Sequence, residues 1–236
     1  MCSLQRRGNV FLLTLTGPGE HRLNPTLIDA IKSSLSQVRS EAESAAGNPS
    51  SFALITTAEG KFFSNGYDID WAASSLDREY LMDDKLKSVA SDLITLPMPT
   101  IAAVSGHASA AGFVLAMSHD YILMRRDRGF LYMSELDIRR VIPSWFMALV
   151  KNKIGAPVAR RDVVLKAPKL TADKALEMGI IDSAHDSAAE TVAAAVRLGE
   201  ELVARNWDGP IYARNRVELL SEVLNVIGTR CIVAKL

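Results

Sequence analysis

The sequence is poor in cysteine and in long apolar runs, and it has no excess charge of either sign. Only two of its 236 residues are cysteines, Cys2 and Cys231, and their separation predicts neither a disulfide framework nor a metal site. No apolar run reaches the roughly 18 residues that span a bilayer, and the N-terminal residues lack the apolar core of a secretory signal. Lys and Arg total 27, as do Asp and Glu, so no net charge favours nucleic acid or an acidic membrane. These absences predict a protein of a reducing compartment, with no metal, no nucleic-acid partner and no membrane span.

The residues that are present follow the pattern of an α/β protein with a helical C-terminal part. Apolar residues make up 48% of the chain and charged residues 23%, which is enough for a sizeable core. Short apolar runs predict strands at residues 9–15, 52–57, 100–104, 121–124 and 180–182, and a short extended segment at 130–132. Apolar periodicity and capping residues predict helices at 25–40, 89–96, 114–117, 143–150, 157–165, 172–178, 188–203 and 212–227. The predicted N-terminal caps are Asn24, Thr171 and Ser187.

One stretch of small residues, Ser105–Gly112, joins the predicted strand Thr100–Val104 to the predicted helix that starts at Val114. A strand, a turn of small residues and a helix start bring several backbone N–H groups together, and small side chains let a ligand approach the backbone closely. Because no side chain of this stretch has the character of a nucleophile, we expect the turn to hold an oxyanion.

Serine-hydrolase chemistry is not indicated. The chain has no Gly-x-Ser-x-Gly motif, and Ser105 or Ser109 lies too near His107 in sequence to form a triad with it. His107 is either structural or catalytic, of which we expect the structural role, and we expect Asp68 and Asp120 to cap or anchor turns.

Five motifs, in this order along the chain, resemble those of the crotonase (enoyl-CoA hydratase/isomerase) superfamily, and within it those of the plant-type peroxisomal Δ3,Δ2-enoyl-CoA isomerases. They are His21–Pro25, Phe62–Ile69, Ala103–Gly112, Met133–Leu136 and Leu170–Asp182. The resemblance implies a ClpP/crotonase-like fold of stacked β-β-α turns. It also implies a core with the acyl-CoA site at 1–186, a helical oligomerisation region at 187–236, and a homotrimer or hexamer.

The resemblance further implies chemistry on a coenzyme A thioester, with coenzyme A as part of the substrate and no separate cofactor. By motif position, the backbone N–H groups of Tyr67 and Ala111 form the oxyanion hole, so that their side chains should matter little. The other residues implied to contact the substrate or its coenzyme A are Arg22, Leu23, Asn24, Ser64, Asn65, Gly66, Asp68, Ile69, Ala110, Gly112 and Val114.

Glu135 is the predicted catalytic base. Its neighbours Met133, Leu136 and Ile138 are apolar, and such a setting raises the pKa of a carboxyl group and strengthens it as a base. Hydratases of the superfamily have a second glutamate at the position of Val114, where it helps to activate water. Valine cannot do this, so the pattern favours an isomerase in which Glu135 alone moves a proton from C2 to C4 of a 3-enoyl-CoA in fatty-acid β-oxidation.

Several alternatives remain open at this stage. Dienoyl-CoA isomerisation would call on a further carboxylate such as Asp137, and hydration, thioester hydrolysis or a non-catalytic acyl-CoA-binding subunit are other outcomes for the same fold. The run Arg125–Arg128 meets either a coenzyme A phosphate or solvent, and Trp145–Met147 belongs to the core or to the wall of an acyl pocket.

The terminal residues Ala234–Leu236 are similar to the Ser-Lys-Leu peroxisomal address. This similarity predicts a peroxisomal location and recognition by the peroxisomal import receptor.

Overall fold

The computed structural model describes residues 1–44 and 52–228. Its strands are β1 (Cys2–Arg7), β2 (Val10–Leu15), β3 (Ala53–Ala58), β4 (Phe62–Ser64), β5 (Thr100–Val104), β6 (His107–Ser109), β7 (Tyr121–Arg125), β8 (Leu131–Tyr132) and β9 (Ser183–His185). Its helices are α1 (Pro25–Ser44), α2 (Ile69–Ala72), α3 (Leu76–Ile94), α4 (Ala111–Met117), α5 (Ser144–Lys153), α6 (Pro157–Leu165), α7 (Ala172–Glu177), α8 (Ala188–Ala204), α9 (Gly209–Leu219) and α10 (Ser221–Gly228).

The strands form two sheets. The larger has the order β1-β2-β3-β5-β7-β9, and the smaller has the order β4-β6-β8. Only the β1–β2 pair is antiparallel among the described strands, and the other pairs are parallel. From β3 to α5 the chain thus contributes one strand to the large sheet, one to the small sheet and then helical structure, in successive β-β-α units, whereas β1 and β2 both join the large sheet. The predicted α/β class with a helical C-terminal part is confirmed.

The central strands β2, β3 and β5 of the large sheet are buried on both faces, which explains why they are apolar at nearly every position. Phe11 and Leu13 of β2 enter the main core, whereas Leu12 joins a second core on the opposite face. Ala194 and Ala195 of α8 cover that second core.

Besides β6, three elements were not predicted: β1, β4 and α2. Strand β1 pairs with β2 through the two-residue turn Gly8–Asn9, but its own residues are only partly buried and carry little apolar signal. Helix α2 has four residues, too few for any periodicity.

Four predicted boundaries are wrong in ways that matter for the site or for the C-terminal part. Helix α3 begins at Leu76 rather than near Val89, so its first part, which carries Glu79 and Asp83, was not predicted. The stretch Ser105–Gly112 is not a simple turn, because it contains β6, and α4 begins at Ala111 rather than at Val114. The predicted strand at 180–182 is a loop whose isoleucines are buried, and the strand is β9. The predicted helix at 212–227 is two helices, interrupted at Leu220.

The capping residues are predicted correctly. Asn24 Oδ1 accepts a hydrogen bond from the Leu27 N–H at 3.0 Å, and α1 continues to Ser44, beyond the expected end at 40. Thr171 caps α7 and Ser187 caps α8, each by accepting from the backbone N–H three residues on.

Helix α9 is held on the core by the buried side chain of Arg216. Its guanidinium donates to the backbone carbonyls of Ile94, Leu96 and Met98, and to Asp120 Oδ2 at 2.5 Å. Asp120 also accepts from the Thr100 N–H, so it anchors its turn as expected.

Residues 45–51 and 229–236 lie outside the described part of the chain, and so do Cys231 and the terminal tripeptide Ala234–Leu236. In the described part, no helix combines the length and apolarity needed to cross a membrane. The predicted boundary between residues 186 and 187 stays a prediction, although α8 packs on the large sheet.

We expect Arg216→Met to lower the free energy of unfolding by about 3–5 kcal/mol, because it leaves Asp120 and several buried carbonyls without their donor. Urea unfolding measures this loss. Arg214→Met, on the exposed side of the same helix, serves as the control and should change stability by less than about 0.5 kcal/mol. Equal effects of the two substitutions would contradict the assigned role of Arg216.

Candidate active site

The site is built from two backbone turns, each at the end of a strand of the small sheet. The first turn, residues 64–68, follows β4. Ser64 Oγ donates to the carbonyl of His21 at 2.7 Å and accepts from the Gly66 N–H at 3.3 Å. The Leu23 N–H donates to the Gly66 carbonyl at 2.7 Å, and the Asp68 N–H donates to the Leu23 carbonyl at 3.2 Å. The structure therefore joins the two segments that the motifs placed together, 22–24 and 64–68.

Side chains strengthen the same junction. Asn24 Nδ2 donates to Asp68 Oδ2 at 3.2 Å, and Asp68 Oδ1 caps α2 by accepting from the Trp71 N–H at 3.1 Å. Arg22 forms ion pairs with Glu20 at 2.8 Å and with Asp70 at 2.5 Å on the half-exposed rim.

The second turn follows β6 and leads into α4. Ala110 has a φ of 47° and a ψ of −121°, a conformation that costs free energy for a residue other than glycine. Its N–H donates to the Tyr132 carbonyl at 2.7 Å, and its carbonyl accepts from the Val114 N–H at 3.0 Å. As the first residue of the helix, Ala111 has an N–H group without an acceptor inside the helix.

Glycines bring the two turns into contact. A β-carbon added to Gly112 would lie 2.2 Å from the Ser64 carbonyl oxygen, so only glycine fits there. Gly66 has a φ of 80°, and a β-carbon on it would lie 3.0 Å from the Ser109 carbonyl oxygen and 3.4 Å from the Ala111 nitrogen. The Gly66–Tyr67 peptide and the Ala111 N–H are therefore neighbours, as an oxyanion hole requires.

Glu135 lies in the loop between β8 and α5. This loop starts beside the second turn, because Tyr132 of β8 pairs with Ser109 of β6. The Arg140 N–H donates to the Glu135 carbonyl at 2.8 Å, and the Arg140 guanidinium binds both carboxylate oxygens of Glu79 on α3, at 2.6 and 2.8 Å. The loop is thus clamped to α3.

The Glu135 carboxyl group is buried without a cationic partner. The residue is 4% exposed, and its Oε2 has no hydrogen-bond partner in the described residues. Burial raises its pKa from the ordinary value of 4.5 to about 7. A carboxyl group with this pKa is half ionised near neutral pH, which suits a general base.

The other candidate residues from the sequence analysis are Asp137, Val114 and His107. Asp137 is exposed and accepts a hydrogen bond from the Tyr132 hydroxyl. Val114 is fully buried in the first turn of α4. His107 is flanked by the rings of Phe62 and Phe130, with centroids at 5.0 and 5.3 Å, as a structural residue would be.

The other residues left open make contacts within the chain, and their part in substrate binding stays a prediction. Arg125 forms an ion pair with Asp127, and Arg126 with Asp173 and Asp186. Trp145 and Phe146 are core residues. In the described part of the chain, no group of His, Cys, Asp or Glu is arranged to hold a metal ion.

Three residues that support the site were not predicted from the sequence: the ion pair Arg140–Glu79 and the carboxylate of Asp83. Arg140 and Glu79 are 61 residues apart, so no local pattern links them. Asp83 accepts hydrogen bonds from Tyr67 and Trp145, although next to Asp84 it has the pattern of a solvated acidic pair. The one signal for Asp83 in the sequence is Lys87 four residues later, a spacing at which two side chains on a helix can form an ion pair.

Comparison with known proteins agrees with this arrangement. The family model for enoyl-CoA hydratase/isomerase matches residues 5–210. The peroxisomal enoyl-CoA delta isomerase 1 of Arabidopsis thaliana is 61% identical over 224 residues, covering 95% of this chain and 91% of its own. The peroxisomal enoyl-CoA delta isomerase 2 of the same plant is 49% identical over 235 residues, covering 97% and 95%.

A solved structure of an enoyl-CoA hydratase/isomerase family protein from Pseudomonas syringae superimposes with a TM-score of 0.85. It covers 96% of this chain and 93% of its own, at 21% identity. The crotonase fold is thereby confirmed, and the chain belongs to the enoyl-CoA hydratase/isomerase family.

The raised pKa of Glu135 predicts a pH-dependent cost to the folded state. The folded pKa of about 7 exceeds the ordinary 4.5, so the cost is absent below pH 4.5, grows as the pH rises, and is complete above pH 7. We expect the free energy of unfolding of Glu135→Gln, relative to that of wild type, to increase by about 2–3 kcal/mol between pH 5 and pH 8.

Urea unfolding of both proteins at the two pH values measures this difference. The control is Asp137→Gln, a substitution at an exposed position two residues away. Its free energy of unfolding should change with pH in the same way as that of wild type. If wild type and Glu135→Gln differed in free energy of unfolding by the same amount at both pH values, the Glu135 carboxyl group would not have a raised pKa in the folded protein.

Proposed function

We propose that this protein is a Δ3,Δ2-enoyl-CoA isomerase of fatty-acid β-oxidation. The observation that carries the proposal is Glu135, a buried carboxyl group without a counter-charge beside two neighbouring backbone turns. The two relatives described above bear that activity in their names.

In the proposed reaction, the thioester oxygen accepts hydrogen bonds from the N–H groups of Tyr67 and Ala111. Glu135 removes a proton from C2 of the 3-enoyl-CoA, and the electron pair spreads over a dienolate whose oxygen those N–H groups stabilise. Glu135 then returns the proton to C4, and the double bond comes to lie between C2 and C3 in the trans form. The proton is conserved, so the reaction consumes no cofactor, and coenzyme A enters as part of the substrate.

The buried state of Glu135 supports catalysis rather than a structural role. An isolated ionised carboxylate in an apolar setting lowers the stability of the fold. The described residues give this one no cationic partner, and a hydrogen bond with the Glu135 backbone lowers its pKa less than burial raises it. A non-catalytic acyl-CoA-binding subunit would have no use for such a group.

Val114 supports isomerisation over hydration. It is fully buried, and its side chain offers neither a donor nor an acceptor to a water molecule. A single base with an apolar wall favours the return of the abstracted proton to the same substrate.

The proposed substrate contacts lie on the two joined turns and on the segment bonded to them. They are Arg22, Leu23, Asn24, Ser64, Asn65, Gly66, Asp68, Ile69, Ala110, Gly112 and Val114. The hydrogen bonds of residues 22–24 to the 64–68 turn support a continuous backbone wall for the coenzyme A portion.

The cellular setting follows from the relatives. Both Arabidopsis isomerases are named peroxisomal, and we propose the same compartment and recognition by its import receptor. We further propose a homotrimer or hexamer in which residues 187–236 contribute to assembly.

The first test is the rate of 3-hexenoyl-CoA isomerisation by wild type and by Glu135→Gln. Because an amide cannot accept the C2 proton, kcat should fall by about 10²–10⁴-fold. For wild type, kcat/KM should rise with pH and level off above about pH 7, where the buried carboxyl group is ionised. Asp137→Asn should keep wild-type turnover; a loss as large as that of Glu135→Gln would overturn the single-base mechanism.

The second test compares two reactions of the wild-type protein. Isomerisation of 3-hexenoyl-CoA should exceed hydration of crotonyl-CoA by about a hundredfold or more, because no second carboxylate activates water. A spectrophotometric assay of both substrates measures the ratio. Comparable rates would assign the chain to the hydratases instead.

A further inference from the structure

Asp83 is a nearly buried carboxylate on α3 that receives hydrogen bonds from three sides. Its Oδ1 accepts from the Tyr67 hydroxyl at 3.0 Å and from the Trp145 indole N–H at 2.8 Å. Its Oδ2 forms an ion pair with Lys87 at 2.8 Å, and the Asp83 side chain is only 16% exposed. One carboxylate thus links the first turn of the site to α3 and α5.

Tyr67 is consequently held at both ends. On its backbone side, Tyr67 forms a bridge with Leu23, whose N–H donates to the Gly66 carbonyl at 2.7 Å. On its side-chain side, the hydroxyl is bonded to Asp83, and the ring lies 6.1 Å from that of Phe146. The peptide between Gly66 and Tyr67 therefore has little freedom to rotate.

The charges at this point keep the hydrogen bond in place. Burial, followed by the charge of Asp83, raises the pKa of the Tyr67 phenol well above its usual range, so the hydroxyl stays protonated and donates. Lys87 balances the charge of Asp83 and also contacts Asp84, which is 70% exposed, at 3.3 Å. The same hydroxyl proton is directed to Asp83, and Glu135 Oε2 is left without a donor.

We propose that Asp83 is a positioning residue of the isomerase site, which holds Tyr67 so that its backbone N–H is aimed at the substrate carbonyl oxygen. The inference rests on the proposed function, because it assigns that N–H to the oxyanion hole. It also revises the expectation that the Tyr67 side chain matters little. Misalignment of a donor by about 1 Å is enough to reduce catalysis about a hundredfold.

The test uses Asp83→Leu and Tyr67→Phe in the full chain, with Asp84→Leu as the matched control on the same helix. The first readout is kcat for 3-hexenoyl-CoA, which should fall about ten- to a hundredfold in both variants and stay at the wild-type value in Asp84→Leu. Leucine has nearly the shape of aspartate but no acceptor oxygen, so both single substitutions break the same hydrogen bond, and the double variant should be no slower than the slower single variant.

The second readout separates alignment of the N–H from general structural support. Binding is measured for hexanoyl-CoA and for S-hexyl-CoA, a thioether that lacks the carbonyl oxygen. Asp83→Leu and Tyr67→Phe should weaken binding of the thioester about five- to tenfold and leave binding of the thioether within about twofold. Tyr67→Phe keeps the ring and its packing, so it decides the case if Asp83→Leu fails to fold.

Two results would overturn the inference: an equal loss of affinity for both ligands, or an unchanged preference for the thioester in Tyr67→Phe. These results are distinguishable from a failure of the proposed function. If wild type does not isomerise 3-hexenoyl-CoA, the proposed reaction is wrong, whereas the comparison of the two ligands still reports whether Asp83 aligns a donor to the thioester carbonyl.

Discussion

The site depends on the close approach of two backbone turns that belong to neighbouring strands of the small sheet. Gly112 packs against the Ser64 carbonyl where a β-carbon would overlap, and Gly66 packs against the Ser109–Ala111 segment. This contact brings the Gly66–Tyr67 peptide close to the Ala111 nitrogen, and Ala110 beside it has a positive φ. Backbone donors fixed in this way need no reorganisation when charge develops on a thioester oxygen, which is why a rigid pair of turns suits enolate chemistry.

The second constraint is the buried charge of Glu135, which the fold accommodates at a cost in stability. Its loop is clamped by the Arg140–Glu79 pair, while the carboxylate itself has no cation beside it in the described residues. A salt bridge at Glu135 would stabilise the protein but lower the pKa of the base. The arrangement therefore stabilises the loop through Arg140 and leaves the carboxyl group free to exchange a proton.

Much of the fold was legible in the sequence because it depends on local chemistry. Helix starts are predicted from the capping residues Asn24, Thr171 and Ser187, because a short polar side chain accepts a hydrogen bond from one of the first free backbone N–H groups of a helix. The five ordered motifs predicted the family, which the comparisons confirm. Elements of three or four residues, such as β4 and α2, were missed because they contain too few residues for a periodic pattern. The isoleucines of residues 180–182 predicted a strand because they are apolar, but they are buried in a loop, and the strand β9 begins at Ser183.

The sequence by itself determined the residues that the proposed chemistry uses: the small residues of both turns, the lone glutamate at 135 and the valine at 114. Only the tertiary structure decided their state. The burial that raises the pKa of Glu135, the contact between Gly66 and the second turn, and the bonds of Asp83 to Tyr67 and Trp145 all join segments far apart in the chain. Such contacts depend on how the sheets and helices pack together, and no local pattern of residues encodes that packing.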